Sequence, residues 1–149
     1  MKRRMAAVLL AVMCVLAGCA PSDRSLRVYC TENQKEFLNQ TQEELPAELV
    51  FHYWTETAAS YRTTNDEIIS GILQALREAT VVSKSSVRST DNRILEFVTA
   101  EGDTCNFGFD ERKFRGADEE CYVLSGDDEL WKLVWEIRES DPEYQDLIR

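Results

Sequence analysis

Ile94-Leu95-Glu96-Phe97-Val98-Thr99 and Thr104-Cys105-Asn106-Phe107-Gly108-Phe109, joined around Glu101-Gly102-Asp103, are the stretch that decides the fold. Apolar residues recur at every second position in both runs, as a strand with one buried face requires. The glycine between them marks the turn of a β-hairpin. Placing Ala100 opposite Thr104 sets Leu95 against Phe109, Phe97 against Phe107 and Thr99 against Cys105. Leu95, Phe97, Phe107 and Phe109 then share one face of the hairpin.

Upstream, Thr64-Asn65-Asp66-Glu67 fits a capping box, with Thr64 as N-cap. Ile68, Ile69, Ile72, Leu73 and Leu76 follow at helical spacing and make one apolar stripe. Gly71 interrupts that helix and is expected to permit close packing on a sheet. Downstream, Glu120–Leu124 reads as a third strand. Asp127 or Ser125 then caps a last helix with Leu130, Trp131, Val134, Trp135 and Ile137 on its apolar face. Closer to the N-terminus, Leu26–Cys30 alternates as a short strand, and Thr31 with Gln34 forms another capping box. The helix so opened is expected to run to about Glu44, before Pro46. Glu48–Trp54 is dense in strand formers and apolar on both alternations, so it reads as a strand covered on both sides. Thr55–Thr63 and Ser83–Asn92 read as loops.

The expected order is β-α-β-α-β-β-β-α. It describes an α+β domain of two layers, a mostly antiparallel sheet with helices on one face. The part from Asp66 to Arg138 has the α-β-β-β-α order of double-stranded RNA-binding domains, a likeness of topology alone.

The N-terminus carries a separate message. Lys2, Arg3 and Arg4 precede the apolar run Ala6–Ala17, which has the length of a signal-peptide core. A permanent span needs ~20 apolar residues, and this run is shorter. It ends in Leu16-Ala17-Gly18-Cys19, which resembles the lipobox of bacterial lipoproteins at all four positions. The resemblance implies cleavage between Gly18 and Cys19 and acylation of the Cys19 thiol. Residues 1–18 would then be a signal peptide, 19–25 a lipidated tether, 26–140 one domain and 141–149 a frayed tail. Two or more acyl chains hold a protein stably at a bilayer. The resemblance also implies an extracytoplasmic location: the cell membrane of a Gram-positive envelope or, since Ala20 and not Asp follows the anchor, the outer membrane of a Gram-negative one. The domain itself resembles the small lipoproteins of Gram-positive bacteria that carry no assigned activity.

The chain is acidic, with a net charge of −10. Loss of Lys2, Arg3 and Arg4 with the signal makes it −13. Such a surface repels nucleic acid, and no basic face offsets it. The tether holds the domain within ~20 Å of the bilayer at ~3.5 Å per residue.

Cys30, Cys105 and Cys121 remain after the anchor. An exported protein can form disulfides. Cys105 with Cys121 is the best pair, across a second hairpin. A register that buries Tyr122 and Leu124 beside Phe107 would instead turn Cys121 away, and Cys30 could replace either partner. Three buried thiols acting as small hydrophobes is the third possibility. Together with His52 the cysteines match the ligand count of a zinc site, but their scattered spacing does not, so no metal and no cofactor is expected.

His52, the only histidine, lies in an apolar strand, where a core or rim role is the simplest reading. A Cys30–His52 nucleophile pair is the alternative that would make the protein a small envelope enzyme. No Gly-x-Ser-x-Gly elbow or Gly-rich phosphate loop is present. Asp118-Glu119-Glu120 and Asp127-Asp128-Glu129 could gather a divalent cation, but fit a solvated loop and a helix start better. Trp54, Trp131 and Trp135 could line a sugar or peptide groove, but also fit the core. The preferred role is a non-catalytic envelope protein that binds a protein partner or a small ligand. A structural lipoprotein without a ligand is the remaining alternative.

Overall fold

The strands Asn92–Val98 (β4) and Thr104–Asp110 (β5) pair antiparallel, with Arg93, Leu95, Phe97, Cys105, Phe107 and Phe109 all buried on one face. The register is two residues from the expected one: Leu95 faces Phe107 and Phe97 faces Cys105. The turn is Ala100-Glu101-Gly102, one residue earlier than expected, because Thr99 and Asp103 still bond to each other (N–H to C=O 2.9 Å, N–H to Oγ1 3.1 Å). Gly102, at φ +91°, supplies the left-handed residue that this turn needs. A slip of two residues leaves every side chain on its face, so the expected sidedness survives.

This computed structural model describes residues 24–40 and 45–147. The expected signal sequence, the expected cleavage position at Gly18 and the expected Cys19 anchor lie outside the described residues. Around the central hairpin the sheet gains Glu48–Trp54 (β1), Ala58–Thr63 (β2), Thr80–Ser85 (β3), Lys113–Arg115 (β6) and Cys121–Ser125 (β7). Its order is β2-β1-β4-β5-β6-β7-β3, and every pairing is antiparallel. The helices are Glu32–Leu38 (α1), Asp66–Glu78 (α2), Asp128–Ser140 (α3) and Pro142–Leu147 (α4). The α+β class and the two-layer arrangement stand as read from sequence.

Phenylalanines form the spine of the core. Phe51, Phe97, Phe107, Phe109 and Phe114 are fully buried on the helix-covered face. Phe37 of α1 meets the rings of Phe97 and Phe107, and Trp131 of α3 meets Phe109 edge-on at 5.1 Å. The stripe of α2 contributes Ile69, Ile72, Leu73 and Leu76. Gly71 faces α3, not the sheet: a Cβ there would lie 2.9 Å from a Leu133 methyl.

Several elements differ from the sequence reading. Leu26–Tyr29 is a turn of 3-10 helix, not a strand. Alternation would have buried Val28 with Leu26 and Cys30, but Val28 is exposed and the buried pair stands four residues apart, a helical spacing. Helix α1 ends at Leu38, with Asn39 as C-cap, well before Glu44. The N-cap of α2 is Asn65, whose Oδ1 accepts from the Glu67 and Ile68 N–H groups. The first expected loop contains edge strand β2, and the second begins inside edge strand β3. The C-terminal stretch expected to fray is helix α4. Asp141 caps it, accepting from the Glu143 N–H at 2.7 Å, and Pro142 takes the first helical position.

One connection is unusual. β3 ends beside β7 at one edge of the sheet, yet the chain resumes in β4 near the middle. Residues 86–91 form the strap between them, laid against the helix-free side. The Ser89 N–H donates to Asp110 Oδ1 (2.8 Å), Lys113 Nζ to the Val87 carbonyl (2.7 Å) and Arg88 to the Glu119 carbonyl (2.9 Å).

Candidate functional surface

Strand alternation sends Leu49 and Phe51 of β1 into the core and Val50, His52 and Trp54 to the face that carries no helix. β1 is therefore covered on one side only, not on both. Ser60 of β2 lies directly across from His52 in the ladder, and Glu96 of β4 lies beside Val50. His52 Nδ1 and Ser60 Oγ share a hydrogen bond of 2.8 Å. On its other side, His52 Nε2 is 3.8 Å from a Glu96 carboxylate oxygen. Trp54 stacks on the imidazole, with ring centres 5.5 Å apart and planes 18° from parallel. The indole is 37% exposed, the only one of the three tryptophans presented to solvent in this way.

A shallow cleft of about 240 Å³ adjoins this cluster, lined in part by Val50, Ser60 and Glu143. A second, of about 430 Å³, lies beyond Arg62 and Glu48. The arrangement is an imidazole held between a hydroxyl and a carboxylate, next to an aromatic face. It can exchange protons and hydrogen bonds with a polar ligand while the indole offers stacking area.

The cysteines fall into two environments. Cys30 and Cys105 lie in the core beneath the helices. Burial pushes the Cys30 thiol up to about 12, with the nearby Cys105 adding to the effect, and burial likewise pushes Cys105 up to about 11. Neither is a nucleophile at neutral pH. The sheet separates Cys30 from His52, so the Cys30–His52 pair is not formed. Nor does the fold bring Cys105 and Cys121 together. They project from opposite faces of the sheet, and β6 runs between their strands. All three thiols are free. Tyr122 and Leu124 are the residues buried on β7, the register in which Cys121 turns away. Cys121 sits under the strap, where it accepts from an Arg88 guanidinium N–H at 3.0 Å and donates to Asp110 at 3.7 Å. The sequence offered no signal for this contact, because Arg88 stands in a stretch without periodicity.

Both acidic runs are engaged within the fold. Asp118 accepts from the Tyr122 hydroxyl at 2.6 Å. That bond holds the Asp118 carboxyl below its usual range and pushes the tyrosine up to about 12. Asp127 and Asp128 both bind Arg112. Among the described residues, no three His, Cys, Asp or Glu side chains converge as metal ligands would. Trp131 and Trp135 belong to the core side, where with Tyr53 they enclose the Arg93 guanidinium. Compared with known proteins, the chain matches no family model, no curated protein and no solved structure.

Proposed function

We propose that the chain is a lipoprotein precursor, acylated at Cys19 after cleavage at Gly18, whose acidic domain binds an envelope protein or a small ligand on the outer side of a membrane. The binding surface is the helix-free sheet face around His52 and Trp54. One observation carries the assignment of that surface: a large indole and the only histidine stand side by side on a sheet face that no helix among the described residues covers, beside the cleft lined in part by Val50 and Ser60. Aromatic side chains with a polar rim are the usual composition of interface centres. Export rests on the lipobox resemblance, and the acidic balance keeps nucleic acid out of the reading.

The test uses a photo-reactive amino acid in intact cells, placed at Trp54 or, as reference, at Gln74 on exposed helix α2. A discrete adduct from position 54 alone is expected. Equal labelling from both positions, or none from 54, overturns the surface. The intact mass of the membrane-extracted protein tests the anchor. It should correspond to a chain that begins at an acylated Cys19.

A second reading has its own observation. Hydroxyl, imidazole and carboxylate stand in the order Ser60–His52–Glu96, which a serine hydrolase would use to activate Ser60. The cluster lies open to solvent, which disfavours that chemistry relative to binding. Labelling by a fluorophosphonate that is lost in Ser60→Ala would establish the hydrolase. An unlabelled native protein removes it.

A further inference from the structure

We infer that the β3 edge of the domain lies against the outer surface of the bilayer that holds the anchor, so that the sheet stands edge-on to the membrane. This rests on acylation at Cys19. The chain enters the described domain at that edge: the Arg24 carbonyl accepts from the Val81 N–H at 2.6 Å, and Ser25 bridges Thr80. Four residues lie between Cys19 and Arg24, so the five backbone steps reach no more than ~18 Å even when fully extended. The bilayer is therefore close to this edge whatever path those residues take.

The side chains there suit a lipid surface. Six large apolar residues are conspicuously exposed among the described residues, and Val28, Val82, Val87 and Val123 are four of them. Val82 sits in the bulge of β3, Val123 on the adjoining strand, Val87 in the strap that follows Ser85 and Val28 in the turn that follows Ser25. Val82 and Val123 belong to the two strands of that edge and Val28 and Val87 follow Ser25 and Ser85 by three and two residues, whereas Trp54 and Leu147 belong to β1 and α4. Exposed Arg24, Arg27 and Lys84 stand among them in a chain that is acidic as a whole. Of the acidic neighbours, Glu120 is paired with Lys84 at 3.1 Å, while Asp118, bonded by the Tyr122 hydroxyl, and exposed Glu119 keep their charges and count against those of Arg24, Arg27 and Arg88. Basic side chains near an anionic leaflet are attracted to it, and short apolar side chains enter the headgroup region without a polar group to desolvate. Tethering keeps the local lipid concentration high, so weak contacts suffice to fix the orientation. Arg24 and Ser25 cover the Thr80–Val81 part of this edge, and the bulge at Val81/Ser83 discourages the remainder from recruiting another strand.

The experiment uses the full, processed protein in vesicles of phosphatidylethanolamine and phosphatidylglycerol. A photo-reactive residue replaces Val82 or Val87 and, as references, Trp54 or Leu147. Lipid adducts are read by mass spectrometry, and far-ultraviolet circular dichroism checks that each variant is folded. Positions 82 and 87 should yield several-fold more lipid adduct than 54 and 147. Similar yields at all four positions, with Cys19 acylated, overturn the orientation and leave the lipoprotein reading intact. A protein from membranes that carries no acyl group on Cys19 removes both.

Discussion

The Asp141 carboxylate accepts the backbone N–H of Arg62 at 2.6 Å, closing the outer edge of the sheet with a side chain from beyond the last long helix. Its other oxygen caps α4, and Arg62 is ion-paired with Glu143 of the same helix. An open edge strand invites pairing with another chain. Asp141 is 3% exposed, so the acceptor cannot be replaced cheaply by water. Asp141→Ala should cost about 2 kcal/mol, since it removes a cap and a buried acceptor together. Asp141→Asn, which keeps one acceptor oxygen, should cost less. Urea unfolding gives the values, and gel filtration should show the alanine variant associating at its exposed edge.

Arg93 is a buried cation enclosed by aromatic rings. Its carbon lies 4.8 Å from the Trp131 ring centre, 5.6 Å from Tyr53 and 5.7 Å from Trp135, and two of its nitrogens bind Asp91 at 3.1 and 2.6 Å. Arg93→Ala leaves Asp91 without its partner and should cost about 3 kcal/mol. Arg93→Lys keeps the charge but loses the planar fork and should recover only part of that. Urea midpoints followed by tryptophan fluorescence rank the three proteins.

Cys30 and Cys105 should resist alkylation at pH 8 in the folded protein and react once urea is added. Their pH dependence has a definite sign. Both thiols remain protonated in the fold, at about 12 and about 11, where the ordinary value is 9.0. The unfolded chain therefore releases protons first as pH rises. The stabilisation is whole below pH 9 and is lost between 9 and about 11 to 12, by at most ~1.4 kcal/mol per pH unit for each thiol. Replacing both with alanine should flatten this alkaline limb of the unfolding midpoint.

Gly71 separates two effects of opposite sign. Alanine gains about 1 kcal/mol of helix propensity but meets the end of the flexible Leu133 side chain at 2.9 Å. Gly71→Ala should therefore stay within about 1 kcal/mol of the parent. Gly71→Val has no room between α2 and α3 and should cost about 2 kcal/mol. Thermal melts of the two variants provide the comparison.

How much was legible in the sequence depends on how much each element buries. Helix α2 and the β4–β5 hairpin bury a complete stripe or face, so their periodicity is strong. β2 and β3 are edge strands in which a single residue each is fully buried, and three-residue β6 is too short to show a pattern. Their strand character comes from neighbours supplied by distant parts of the chain. The same holds for the candidate surface. His52 was visible as a lone histidine, but Ser60 and Glu96 reach it only through two ladder pairings. Leu26–Cys30 misled because five residues are too few to tell alternation from a helical turn. The strap over Cys121 is a matter of topology, which local pattern does not encode.

That strap also orders events in time. β1, β2 and β3 are made first, yet they occupy the two outer flanks of the sheet, and the strands that must lie between them arrive last. β3 has no partner strand, only the Arg24–Ser25 bridge, until Cys121–Ser125 exists, and β1 has only a two-stranded ribbon until Asn92–Val98 does. A polypeptide emerging N-terminus first through a narrow pore would therefore stay without a finished hydrophobic layer until almost all of it had passed. The arrangement defers collapse until nearly the whole chain is present.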